Sequence, residues 1–196
     1  MIALALAALV SASPGALAAT AQVYDRPSYQ YLQISSGSAD YSVGDAQEFS
    51  LEASWDLGDG YFAFADYSQA RVDINGQGYD RSAALIGLGT HGEPAENVDL
   101  YGTLAFADAE QNTPFPGMGG PSVSGDGIVF GLGVRAMAGP RLELAGKVDY
   151  FDVADGGEAI LELEALVKAT DRIAIGLSHR KGERAEAFTL GLRVYL

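Results

Sequence analysis

Only two side chains in this 196-residue chain, His91 and His179, have an ordinary pKa suited to proton transfer near neutrality. His91 stands beside Gly92 and Glu93 in a stretch that reads as a turn. His179 shares parity with Ile173, Ile175 and Leu177, which puts it on an apolar face near a strand end. Acyl transfer or lipid hydrolysis needs a His with Ser, Asp or Glu in reach. An enzyme that modifies membrane lipid through His179 is therefore kept only as an alternative, and the chain is read as a non-enzyme. Two His and no Cys make no metal set, and no catalytic, cofactor or metal residue is assigned.

A richer pattern lies in charges that alternate with apolar residues. Glu48, Glu52, Asp66, Asp99, Arg135, Lys147, Asp149, Glu162, Glu164, Lys168 and Arg193 each fall on the polar parity of an extended segment. If that parity faces the inside of a barrel, two readings compete. The charges pair and fill the lumen, or they line a thin, cation-preferring water path, since acids outnumber bases. A narrow barrel favours the filled lumen. A second set, Arg180, Lys181 and Arg184 with Arg71 and Arg81, falls near expected outer loops. There it could meet lipopolysaccharide phosphates or form ordinary solvated hairpin tips.

Strands must position these residues. From Gln47 to Leu57, Phe49, Leu51, Ala53, Trp55 and Leu57 share one face, and Glu48, Glu52 and Asp56 share the other. Gly58-Asp59-Gly60 turns the chain, and Tyr61 to Arg71 returns. Similar alternation covers 81–90, 98–108, 128–136, 142–151, 159–168, 173–179 and 187–196, and 28–36 reads as the first strand without a clear face, since Tyr29 and Tyr31 oppose Leu32 and Ile34. Residues 37–45, 72–80, 109–125, 154–157 and 181–185 read as loops, and 91–97, 139–140 and 170–171 as turns. This gives about ten strands, with eight as the rival count. Each is close to the roughly 9–11 residues that cross a bilayer at a tilt. Phe62 and Phe64 share the parity of Asp66 and so should face inward with it. Aromatics at Trp55, Tyr61, Tyr67, Phe106, Tyr150 and Tyr195 read as interfacial girdles.

Composition narrows the class. Hydrophobic residues make up 48% and charged residues 19%, with 25 glycines, which suits neither disorder nor a soluble helical domain. A net charge of −14 argues against a nucleic-acid partner, whose phosphates need a basic surface. The apolar run from Met1 to Val10 and Ala16-Leu17-Ala18 predict a signal peptide over 1–18. A periplasmic lead-in over 19–27 and a barrel over 28–196 follow. A soluble periplasmic or secreted β-barrel binding protein would also alternate, with its apolar face inward. Glycines mixed with charges on one face (Gly131, Gly133, Gly191) favour a polar lumen instead.

The closing segment Ala187–Leu196 places Phe188, Leu190, Leu192, Val194 and Leu196 on one face. An alternating strand here leaves an open edge unless it pairs with the first strand. The signal peptide, the hairpin rhythm and the terminal pattern Thr189-x-Gly191-x-x-Val194-x-Leu196 resemble the small outer-membrane β-barrel proteins of proteobacteria, the porin-like and OmpA-barrel-like group. The resemblance implies an all-β, up-and-down antiparallel transmembrane barrel in the outer membrane. It also implies insertion by the barrel-assembly machinery after escort by periplasmic chaperones, contact with outer-membrane lipids and lipopolysaccharide, and a C-terminal assembly signal at Thr189, Gly191, Val194 and Leu196. The role it leaves open is structural, surface-interacting or narrow-pore.

Overall fold

The computed structural model describes residues 26–41, 44–74, 77–112, 123–153, 156–183 and 185–196. The expected signal peptide, most of the expected lead-in, and Arg184 lie outside the described residues. Ten strands follow in chain order: β1 (Tyr31–Tyr41), β2 (Gly44–Gly58), β3 (Tyr61–Ile74), β4 (Gln77–Ala95), β5 (Val98–Asn112), β6 (Val123–Met137), β7 (Leu142–Val153), β8 (Gly156–Lys168), β9 (Ile173–Lys181) and β10 (Ala185–Tyr195). Each pairs antiparallel with its neighbours in sequence, and β1 pairs with β10, so the sheet closes into an up-and-down barrel. The count of ten holds and eight does not.

The seam is regular. Tyr31 opposes Tyr195, Ile34 opposes Leu192 and Tyr41 opposes Ala185 without a register shift. Closure leaves no edge strand, which is the condition for a sheet to stand in hydrocarbon. The β2–β3, β4–β5, β6–β7 and β8–β9 turns share one end with the start of β1 and the end of β10. That end is the periplasmic one in barrels of this kind. The tightest turn places Asp59 at φ 54 between Gly58 at φ 82 and Gly60 at φ 77, conformations that glycine adopts without strain.

The strands run further than the apolar pattern predicts, mostly toward the outer end. β1 continues through 37–41, expected as loop, and β4 spans 19 residues. The turn expected at 91–97 shrinks, because β4 runs on to Ala95. Ladder hydrogen bonds need neighbouring backbone, not apolar side chains, so polar residues stay paired above the membrane. At the other end, the first strand starts at Tyr31, not Ser28.

Side chains alternate as the closed sheet requires. Leu32, Ile34, Phe49, Leu51, Trp55, Ile86, Leu104, Phe130, Leu132, Ile175, Leu190 and Leu192 all stand exposed on the outer wall. Water-exposed faces of soluble sheets are polar. A wall this apolar on every strand fits lipid, and it removes the reading of a soluble barrel with an inward apolar face.

Gly37 marks the tightest point of the seam. A Cβ there would overlap the carbonyl oxygen of Phe188 on β10. Gly146 on β7 would place a Cβ 3.4 Å from the Leu163 side chain, an ordinary contact. Gly37→Ala should therefore destabilise the folded barrel by about 1–3 kcal/mol, while Gly146→Ala is tolerated. Urea titration followed by the mobility shift between boiled and unboiled samples checks both.

Candidate functional site: the barrel interior

The inner wall is lined by the opposite parity, and its charges converge near the periplasmic half. β6 supplies Arg135, β7 Glu143, β8 Glu164 and β10 Arg193. Arg135 Nε donates to Glu143 Oε1 at 2.8 Å, and Arg135 Nη2 lies 2.5 Å from the same oxygen. Arg193 Nη1 lies 3.6 Å from it on the other side. Arg193 Nη2 donates to Glu164 Oε2 at 2.8 Å, and Gln33 Nε2 donates to Glu164 Oε1 at 2.9 Å. Tyr195 OH completes the shell of Glu143 with a 3.1 Å donation to Oε2. Glu143 is 0% exposed, Arg193 3% and Arg135 4%. Ions taken from water cost several kcal/mol each unless paired and hydrogen-bonded. Here one carboxylate serves two guanidiniums, and both also face aromatic rings. Arg193 stands 4.1 Å over Tyr31, and Arg135 4.6 Å over Tyr29.

Further up, Lys147 Nζ lies 3.0 Å from Asp149 and 3.6 Å from Glu162. Tyr31 OH donates to Glu52 at 2.5 Å, and Glu52 is the cross-strand partner of Asp66. Toward the outer end, Arg180 Nη2 donates to Glu48 Oε2 at 2.9 Å, and Tyr41 OH donates to Glu48 Oε1 at 2.7 Å. Lys168 stands 5.2 Å over the Tyr195 ring at the periplasmic end. All the charges expected in the lumen thus fall on the inner parity, and most meet a partner of opposite sign. The space between them is not wholly polar. Ala105, Ala107 and Val129 pack with Phe64, Leu85 and Phe151, and Ala39, Ala46, Val72 and Ala187 form a second apolar cluster.

The structure corrects several placements. Arg180, expected at an outer rim, belongs to β9, where His179 faces outward, so alternation turns Arg180 into the lumen. Arg81 also takes the inner parity and lies 5.2 Å over the Tyr41 ring. Arg71 stays outside, against Gly78. Lys181 also stays outside and binds Glu186 at 2.8 Å. His91 is not in a turn. It faces the lumen, stacked on Tyr29 at 4.1 Å, with Nδ1 3.4 Å from Asp99. Tyr195, expected in an outer girdle, is 7% exposed inside. Thr189 and Gly191 face inward while Val194 and Leu196 face out. Glu143 lies on the polar parity of 142–151, and no local motif marks it as the centre of the network.

On the outer wall, His179 Nε2 lies 2.9 Å from Glu186 Oε1, and its ring stacks on Phe188 at 4.3 Å. Among the described residues, no serine or threonine hydroxyl is bonded to either member of this pair.

A closed ten-stranded sheet with an apolar outer wall and a charge-paired interior defines a small outer-membrane β-barrel protein. No protein-family model matches the sequence, and no curated protein matches it. Among solved structures, the NanC porin is similar over 84% of this chain and 100% of that chain, at 9% identity and a TM-score of 0.51. The N-terminal β-barrel domain of Pseudomonas aeruginosa OprF is 12% identical over 84% of this chain and 97% of its own, with a TM-score of 0.45. The Yersinia pestis attachment invasion locus protein Ail, bound to sucrose octasulfate, is 13% identical over 84% and 94%, with a TM-score of 0.45. At 9% identity the likeness to the NanC porin is one of fold.

Removing Glu143 would strand two buried guanidiniums. Glu143→Ala should cost about 3–5 kcal/mol, the usual effect of breaking a buried ion pair from one side. Lys181→Ala on the outer wall should leave stability unchanged within error. Trp55 is the only tryptophan and faces outward, so its fluorescence during urea unfolding in detergent micelles reports both.

Proposed function

We propose that the protein is an outer-membrane barrel whose lumen is closed by its own side chains, and that it serves the envelope as a structural and surface-presenting element. The observation that carries this reading is the buried Arg135–Glu143–Arg193–Glu164 network. It crosses the interior and gives each ion its partners inside the wall. A water path would instead leave those groups solvated. Ten strands enclose a space little larger than one that side chains fill. The partners that follow are outer-membrane lipid and lipopolysaccharide around the wall, with Lys181 and Arg71 as the outward basic contacts. During biogenesis they are periplasmic chaperones and the barrel-assembly machinery, read through Thr189, Gly191, Val194 and Leu196. Purified, heat-modifiable protein in planar bilayers should give no sustained conductance steps. Frequent steps would overturn the closed-lumen reading and favour the cation path.

The His179–Glu186 pair keeps one enzymatic reading in view, a histidine polarised by a carboxylate at the level of outer-leaflet lipid. It lacks a hydroxyl nucleophile, so only an activated water could act. His179→Ala should leave lipid A composition unchanged by mass spectrometry. A lost or gained lipid A species would establish the enzyme instead.

A further inference from the structure

Residues 26–30 do not join the wall. Pro27 has no N–H to give a ladder, and the chain turns into the periplasmic mouth. There it is held from several sides. Arg135 Nη1 donates to the Ser28 carbonyl at 2.9 Å, and Ser54 Oγ donates to the Tyr29 carbonyl at 2.7 Å. The Leu196 N–H donates to the Gln30 carbonyl at 3.1 Å. Outside the mouth, Arg26 pairs with Glu93 at 2.7 Å.

Tyr29 is the wedge. Its ring stacks on His91 at 4.1 Å, lies 4.6 Å from Phe62 and meets the edge of Tyr101 at 6.1 Å. The Arg135 guanidinium covers its other side. Tyr29 is 4% exposed, with its hydroxyl on the Arg135 side of the seat. A cavity of about 530 Å³ opens beside it, lined by Arg26, Ser28, His91 and Asp99 among others.

We infer that Arg26–Gln30 is a removable stopper, with Tyr29 as its plug, that closes the periplasmic mouth and holds Arg135 in the lumen network. The inference rests on the closed-lumen reading and adds a moving part to it. Tyr29 and the Ser28 carbonyl form the periplasmic half of the Arg135 environment, and Glu143 forms the other half. With the stopper withdrawn, water reaches Arg135, the guanidinium turns toward the mouth, and its half of the network opens. None of the ten strand pairings includes residues 26–30.

The test compares native protein, Tyr29→Ala, Tyr29→Phe and Arg26→Ala in planar bilayers in potassium chloride. Each is first shown to be folded by its heat-modifiable band. Tyr29→Ala should raise the frequency of conductance steps at least tenfold over native protein. Tyr29→Phe keeps the ring that fills the mouth and should be as quiet as native protein. Arg26→Ala, which frees only the outer anchor, should raise the frequency severalfold. It carries the test alone if Tyr29→Ala does not fold. Folded Tyr29→Ala or Arg26→Ala that stays as quiet as native protein overturns the stopper and leaves the closed lumen standing. Native protein that conducts as often as Tyr29→Ala overturns both.

Discussion

Hydrocarbon offers a backbone no hydrogen-bond partner, and the rest of this structure follows from that. Each N–H and C=O at membrane depth must be satisfied by another strand, so the sheet has to close. The β1–β10 seam meets this demand, with Gly37 allowing the two backbones to approach at Phe188. Closure fixes alternation, and alternation decides the fate of every side chain. One residue in two meets lipid and must be apolar. The other meets a confined interior and must fill it.

That confinement explains why the interior holds both ion pairs and aromatic rings. A charge there has lost bulk water but has not reached pure hydrocarbon. Its cost is offset only by a partner at hydrogen-bond distance. Glu143 shows the solution at its most economical, because a single carboxylate serves Arg135, Arg193 and the Tyr195 hydroxyl. Tyr29 and Tyr31 lie against the guanidiniums, and Tyr195 against Glu143.

Alternation is a local property of sequence, and what depended on it was legible there. The ten strands, the outward row Phe188 to Leu196 and the inward charges could all be read from parity. Strand ends could not. β4 stays paired with β5 through His91 and Gly92, shifts register across Glu93 and Pro94, and pairs again at Ala95, where side-chain polarity argues for a turn throughout. Polarity alone puts His91 in a turn for that reason, and it ends the ninth strand at His179, two residues short of Lys181, which leaves Arg180 at a rim. The Glu143 network was illegible for a different reason. Arg135 and Glu143 sit on adjacent strands of one hairpin, but Arg193 lies on β10, which only the curl of the closed sheet brings to them, so no window of sequence contains the whole network.

The same logic locates the surplus negative charge. The lumen pairs most of its acids with bases, so most of the net charge of −14 resides elsewhere. Asp40, Asp45, Asp73, Asp80, Asp108, Asp126 and Asp152 are exposed near the outer ends of their strands, just beyond the outward apolar residues. Carboxylates at those positions keep the outer ends in water and resist drawing them into the bilayer, since a charge in hydrocarbon is costly. The apolar wall holds the barrel in the membrane, and the acidic rim limits how deep it can sink.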